Sequence, residues 1–263
     1  MRPAKPALPT VVPTVTPIAD WHMLENAGFQ IWLPASYLGG TNRTIDAVVP
    51  QLAQKDASFA NIAQSLKLRG TPFLIFAVDT DSKPGKVTYM LVANERLSRP
   101  IDMPGYLDLI AGNLTAQSNL FQILQKQVLP SDRYPTDKIV VEINTLESGD
   151  IKQVVYALKN GGAMWQISFT TPVEEFDARS PVFEQIAKSA NLPYIAEPAN
   201  PGIQFTPWIL GLSGAALVVI AILAVVLIKQ RQKAAPLPSK RTVKKKNAKN
   251  GAELGCCLPN LSP

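Results

Sequence analysis

A chain of 263 residues with 46% apolar content is long enough for one substantial domain with appendages, and it is too apolar to be largely disordered. The net charge of +6 is unevenly spread: residues 1–206 hold 17 Lys and Arg against 19 Asp and Glu, whereas residues 229–263 hold 9 against the single Glu253. The basic character therefore belongs to the tail, and with only Cys256 and Cys257, adjacent to each other within it, the domain has neither a disulfide nor a thiol site.

Residues 1–19 carry prolines at 3, 6, 9, 13 and 17 among Thr and Val, a composition of an extended linker that cannot bury a core. A folded domain is expected over 20–195. Phe29–Leu33 (FQIWL) alternates and reads as a strand ending at Pro34. Thr44–Leu68 reads as a helical hairpin carrying Leu52, Phe59, Ile62 and Leu66, with Pro50 in a first turn or at a break. Pro72–Val78 is a continuous apolar run, as in a strand covered on both faces, and Lys83-Pro84-Gly85 turns the chain into an antiparallel partner over Lys86–Ala93.

Pro104 opens a helix with Leu107, Ile110 and Leu114 on one stripe. Leu120–Val128 and Ile139–Ile143 read as strands, followed by a hairpin of Lys152–Leu158 and Ala163–Thr170 about an Asn160-Gly161 turn. On the second strand Trp165, Ile167 and Phe169 alternate with Gln166 and Ser168. Ser180 reads as the cap of a last helix with Pro181 at its first position and Phe183, Ile186, Ala187 and Ala190 as its buried stripe. This order implies an α+β fold, an antiparallel sheet with helices packed on its faces.

Three stretches give that order a resemblance. Phe29–Pro34 followed by the aromatic Tyr37 resembles the opening of PsbP-like domains, named after an extrinsic subunit of photosystem II. Trp165–Thr171 (WQISFTT) is similar to that family's penultimate element, and Ser180–Ser189 (SPVFEQIAKS) to its closing helix. The resemblance covers nearly the whole domain. It implies an α-β-α sandwich that serves as a binding or assembly module without catalysis, and it carries over no functional residue. The uncharged apolar segment at 207–228, the basic tail and the single histidine depart from the photosynthetic members.

Residues offering chemistry are few. His22, the only histidine, reads as a surface residue at the edge of the linker; without Cys or a second His no ordinary zinc site forms, and no cofactor is expected. Asp79-Thr-Asp81 lacks the Gly and closing Glu of a calcium loop and reads as a turn. Glu174, Glu175 and Asp177 read as an exposed acidic cluster ahead of the last helix, near its positive end. An alternative, a membrane-tethered hydrolase using paired carboxylates, requires two of Asp79, Asp81, Glu142, Glu174, Glu175 and Asp177 to converge in a cleft. Asn42-Arg43-Thr44 and Asn113-Leu114-Thr115 match glycosylation acceptors.

After a juxtamembrane linker at 196–206, residues 207–228 (PWILGLSGAALVVIAILAVVLI) carry no charge and only Ser213 as a polar side chain. At about 1.5 Å per residue the segment matches a hydrocarbon core of about 30 Å, so one transmembrane helix is expected from Trp208 to Ile228. Gly211 and Ala215 would let two such helices pack closely as a homodimer. Lys229, Arg231 and Lys233 follow at once, with Lys240, Arg241, Lys244, Lys245 and Lys246 beyond. By the positive-inside rule the tail, 229–263, is cytoplasmic and disordered, lying on anionic lipid heads without nucleic acid, and the domain is extracytoplasmic. Met1–Thr16 has no apolar core of a signal peptide, so this orientation calls for a start upstream; the alternative is a tail-anchored domain on the cytoplasmic side. The expected function is a single-pass, non-catalytic module that binds a protein or envelope partner.

Overall fold

A computed structural model describes residues 18–197, apart from 69, 84, 98–100, 118–119 and 145–149. β1 (Trp21–Asn26) and β2 (Phe29–Pro34) form a hairpin whose loop, Ala27 and Gly28, has positive φ at both residues (53° and 80°), as in a type I′ turn. The strand around His22 is a correction to the sequence reading. β1 has no fully buried position, so its apolar signal is weak. β3 (Tyr37–Thr41) is likewise unforeseen, because it contains Gly39 and Gly40. A Cβ at Gly39 would lie 2.3 Å from the Phe76 carbonyl oxygen, so glycine lets β3 pair closely with its neighbour.

α1 (Ile45–Lys55) and α2 (Ala57–Leu68) make the expected helical hairpin. Pro50, however, sits in the middle of α1, and the helix continues through it. The missing N–H frees the Asp46 carbonyl, and both residues are exposed, so water can replace the lost bond. β4 (Ile75–Asp79) is buried along its whole length, as the apolar run implied, and pairs antiparallel with β5 (Tyr89–Arg96). α3 (Met103–Gln117) buries Leu107, Ile110 and Leu114 as expected.

β6 (Phe121–Leu129), β7 (Thr136–Ile143), β8 (Ile151–Asn160) and β9 (Ala163–Pro172) complete a seven-stranded sheet in the order β3-β4-β5-β9-β8-β7-β6, with every neighbouring pair antiparallel. The β8–β9 turn is one residue later than expected. Asn160 pairs with Ala163, the loop is Gly161-Gly162, and of these two only Gly161 has positive φ (61°), the pattern of a type II′ turn.

α4 (Val173–Lys188) begins seven residues before the expected Ser180 cap. Glu174 and Glu175 occupy its first turn, where the helix dipole favours them, and Phe176 adds an early buried position. Pro181 lies inside the helix, and like Pro50 it is exposed, together with the residue four before it, Asp177. Both helix-interior prolines thus sit where the orphaned carbonyl is wet.

The sheet separates two helical layers, giving the α+β class expected. On one face α4 and the β1–β2 hairpin cover Ile75, Met90, Val154, Trp165, Ile167 and Phe169. Phe29 stacks on Trp165 with centroids 5.2 Å apart, and Phe183 stacks on Phe169 at 4.5 Å. On the other face α1 and α2 cover β4 and β5, while α3 covers β7 and β8. β9 is therefore covered on both sides. Gln166, which the alternation left on an open polar face, is buried and donates from Nε2 to the Tyr106 hydroxyl at 2.5 Å. Among the described residues no helix is long and apolar enough to cross a membrane; the expected anchor and tail (Trp208, Gly211, Ala215, Ile228, Lys229, Arg231, Lys233, Lys240, Arg241, Lys244, Lys245, Lys246) lie outside them.

Candidate functional site

Beyond α4 the chain does not leave the domain at once. Asn191 exchanges two backbone hydrogen bonds with Gln30 (3.0 and 2.8 Å), and Gly162 donates its N–H to the Ile195 carbonyl at 2.7 Å. Tyr134, in the β6–β7 turn, accepts the Leu192 N–H at its hydroxyl (3.0 Å) and donates to Asn191 Oδ1 (3.2 Å). Arg133 also donates to Asn191 Oδ1, at 3.2 Å, with its guanidinium 5.2 Å from the Tyr134 ring centroid. Residues 190–197 thereby form a strap across the end of the sheet. The glycine turn makes room for it: a Cβ on Gly161 would come within 2.1 Å of the Ile195 carbonyl oxygen.

Between the β6–β7 turn and the last turns of α4 lies a cleft of about 320 Å³. Leu129, Pro130, Leu158, Ala187 of α4 and Ala190 just beyond its end supply apolar wall, the two alanines contributing only methyl groups. Asp132, Arg133, Glu184 and Lys188 supply charge. Tyr156 of β8 lines the cleft with only 1% of its surface exposed, and its hydroxyl has no hydrogen-bond partner. Burial, and then the negative charge of Glu184, push this phenol well above its ordinary pKa, so it remains protonated. Its ring meets Phe169 edge-on at 6.1 Å, and Lys138 Nζ stands 5.9 Å from the ring centroid. Glu184 is held below the usual carboxylate range, first by its hydrogen bond with Lys188 (2.7 Å) and also by the charge of Lys138. The cleft is of ligand size, with one buried hydroxyl left unsatisfied and no nucleophile paired to a base.

The residues singled out from the sequence lie elsewhere. Asp79 ends β4, accepts the Asp81 N–H at 3.1 Å as a turn residue should, and pairs with Arg179 of α4. Glu175 accepts from Arg179 Nε at 2.8 Å and faces Lys83 at 3.9 Å, so Asp79 and Glu175 converge on a cation that ties α4 to the sheet. Glu175 is mostly buried, a correction to the exposed cluster expected there. Glu174 pairs with Lys86 and is held below its ordinary pKa mainly by that hydrogen bond, while Asp177 is exposed. Glu142 lies 3.9 Å from Lys152 on the neighbouring strand. None of the six acids lines the cleft beside Tyr156, nor a smaller one of about 250 Å³ formed by Asn42, Thr71 to Leu74, Ala93 and Asn94. His22 is partly buried in β1, which lowers its pKa. Asn42 is exposed in the turn after β3 and Asn113 lies in α3. Among the described residues no group of three or more His, Cys, Asp or Glu is placed to hold a metal ion.

Sequence reasoning missed Tyr156, Tyr134 and Asp137. Tyr156 is embedded in an apolar strand (VVYAL), where an aromatic reads as core. Asp137 is fully buried in β7 with neither carboxylate oxygen hydrogen-bonded, and its only signal was an acid two residues before an apolar run.

No family model and no curated protein matches the chain. Among solved structures it is similar to the cyanobacterial PsbP (CyanoP) of Synechocystis, at 11% identity and TM-score 0.45, over 67% of this chain and 95% of that one. A protein of unknown function from Pseudomonas aeruginosa, described as a putative regulator, is similar at 9% identity and TM-score 0.39, over 68% and 100%. The Ran-binding protein Mog1p of Saccharomyces cerevisiae is similar at 12% identity and TM-score 0.38, over 78% and 95%. All three fall below a TM-score of 0.5, and neither family membership nor function passes from them to this chain.

Proposed function

We propose that the chain is a single-pass, membrane-anchored, non-catalytic binding module of PsbP-like type, with its domain extracytoplasmic and its basic tail cytoplasmic. The observation that carries the binding role is the ligand-sized cleft with the buried, unpartnered Tyr156 hydroxyl: it provides wall, charge and an unsatisfied hydroxyl, and the hydroxyls of Ser131 and Thr136 are bonded to backbone groups and not to a carboxylate of the cleft. The PsbP-like part is supported by the three stretches that carried the resemblance, which fall on β2, β9 and α4. The anchor is supported by the uncharged 207–228 and its basic flank.

The test is mild cross-linking of the full chain in its native membrane, followed by capture and identification of what is linked near the cleft. A specific partner is expected, competing with derivatisation of a cysteine placed at Lys188. Absence of any cross-linked species across several linker lengths would sink the reading.

A further inference from the structure

We infer that the cleft beside Tyr156 takes a carboxylate carried on a short apolar stem. This rests on the reading of the cleft as the binding site and adds the chemistry of what enters it. Tyr156 brings a hydroxyl that is buried, protonated and without a partner, so a donor is left open at the inner wall. A buried donor of this kind is costly until an acceptor meets it.

The charges decide which acceptor. Glu184 is the acid nearest the phenol and would repel an anion, but it is already bound by Lys188 at 2.7 Å and also feels Lys138. Lys138, over the Tyr156 ring at 5.9 Å, makes no ion pair among the described residues. On the turn side Arg133 and Asp132 both line the cleft, with Arg133 donating to Asn191 Oδ1 at 3.2 Å. The cleft wall itself carries two cations, Arg133 and Lys188, and two acids, Asp132 and Glu184, so Lys138 beside the Tyr156 ring tips the surroundings of the phenol positive, and a charged acceptor gains more from the phenol than a neutral one does. Leu129, Leu158, Ala187 and Ala190 give the stem its contact, and a volume of about 320 Å³ admits a chain of a few carbons. The same chemistry is presented by a free organic acid and by a peptide C-terminus.

The experiment titrates the full chain in detergent with hexanoate, and with a short peptide ending in leucine, each against its amide, following the backbone amide resonances of Leu158 and Lys188 at the cleft. The free acids are expected to bind at least roughly tenfold more tightly than the amides, and Tyr156→Phe to remove roughly tenfold of that affinity. Binding of hexanoate assigns a small acid; binding of the peptide alone assigns a chain terminus. Equal binding of acid and amide, or no binding of either, overturns the assignment. Should Tyr156→Phe fail to fold by circular dichroism, Lys138→Gln takes its place, and the acid-to-amide ratio of the unaltered chain decides without any variant. A cross-linked partner held at full strength by Tyr156→Phe would overturn the carboxylate assignment while leaving the binding-module reading intact.

Discussion

Asp137 shows how one residue can set a pH dependence. It has no exposed surface, no hydrogen bond to either carboxylate oxygen, and Val128 and Ala157 as its neighbours across the strands. Burial first, and the negative charge of Asp102 second, raise it from 3.8 to about 6. An acid with a raised folded value is bound more tightly to its proton in the native state. Its favourable contribution is therefore complete below the unfolded value and is lost as pH rises through about 6. Unfolding in urea is expected to show a stability loss of about 2 kcal/mol on going from pH 4 to pH 7 from this group. Asp137→Asn, neutral throughout, should flatten that slope and raise stability at pH 7 by about 1–3 kcal/mol. An unchanged slope in the variant would show that Asp137 is not its source.

Among the elements, α4 concentrates two opposed effects. Pro181 interrupts its hydrogen-bond ladder on the wet side, so Pro181→Ala restores a bond at an exposed position. A gain of about 1–3 kcal/mol is expected in a thermal melt, reduced by the extra freedom of the unfolded chain. Arg179, in contrast, is the counter-charge of Asp79, whose side chain is only 5% exposed. Arg179→Met should cost about 3–5 kcal/mol because a buried carboxylate is left alone, and adding Asp79→Asn should recover much of that loss. Additive losses in the double variant would mean that the pair does not couple α4 to β4. The sequence showed that a helix closes the domain and which stripe it buries, but not where it begins. Ser180-Pro181 is a good start signal locally, and it was overruled by Phe176, which packs on the sheet four residues before Ser180 within a helix that starts at Val173.

At the scale of the whole molecule, the strap fixes where the chain departs from the domain. Gly161 serves the β8–β9 turn through its positive φ and the strap through the absence of a Cβ. Gly161→Ala should therefore cost about 2 kcal/mol or more and should expose the amide of Gly162 to hydrogen exchange. An amide that stays protected would show the strap to be independent of the turn. The anchor has its own test. In sealed inside-out vesicles, added protease is expected to trim the basic tail and to spare the domain; loss of the domain as well would reverse the proposed orientation.

The sequence by itself determined the α+β class, the helical hairpin of 45–68, the doubly covered β4, and the uncharged segment from Trp208 to Ile228 with its basic flank. Each of these is written in hydrophobic period or charge run, which depend only on neighbours along the chain. Tertiary structure alone decided that Gly39 brings β3 onto the sheet, that the turn settles on Gly161-Gly162, and that Tyr156, buried in β8, borders a cleft with its hydroxyl unpartnered. Those outcomes depend on which distant residue lies opposite. For Tyr156 the cleft is shared with Ala187 and Ala190, distant in sequence, whose small side chains fill little of the space beside the candidate binding group.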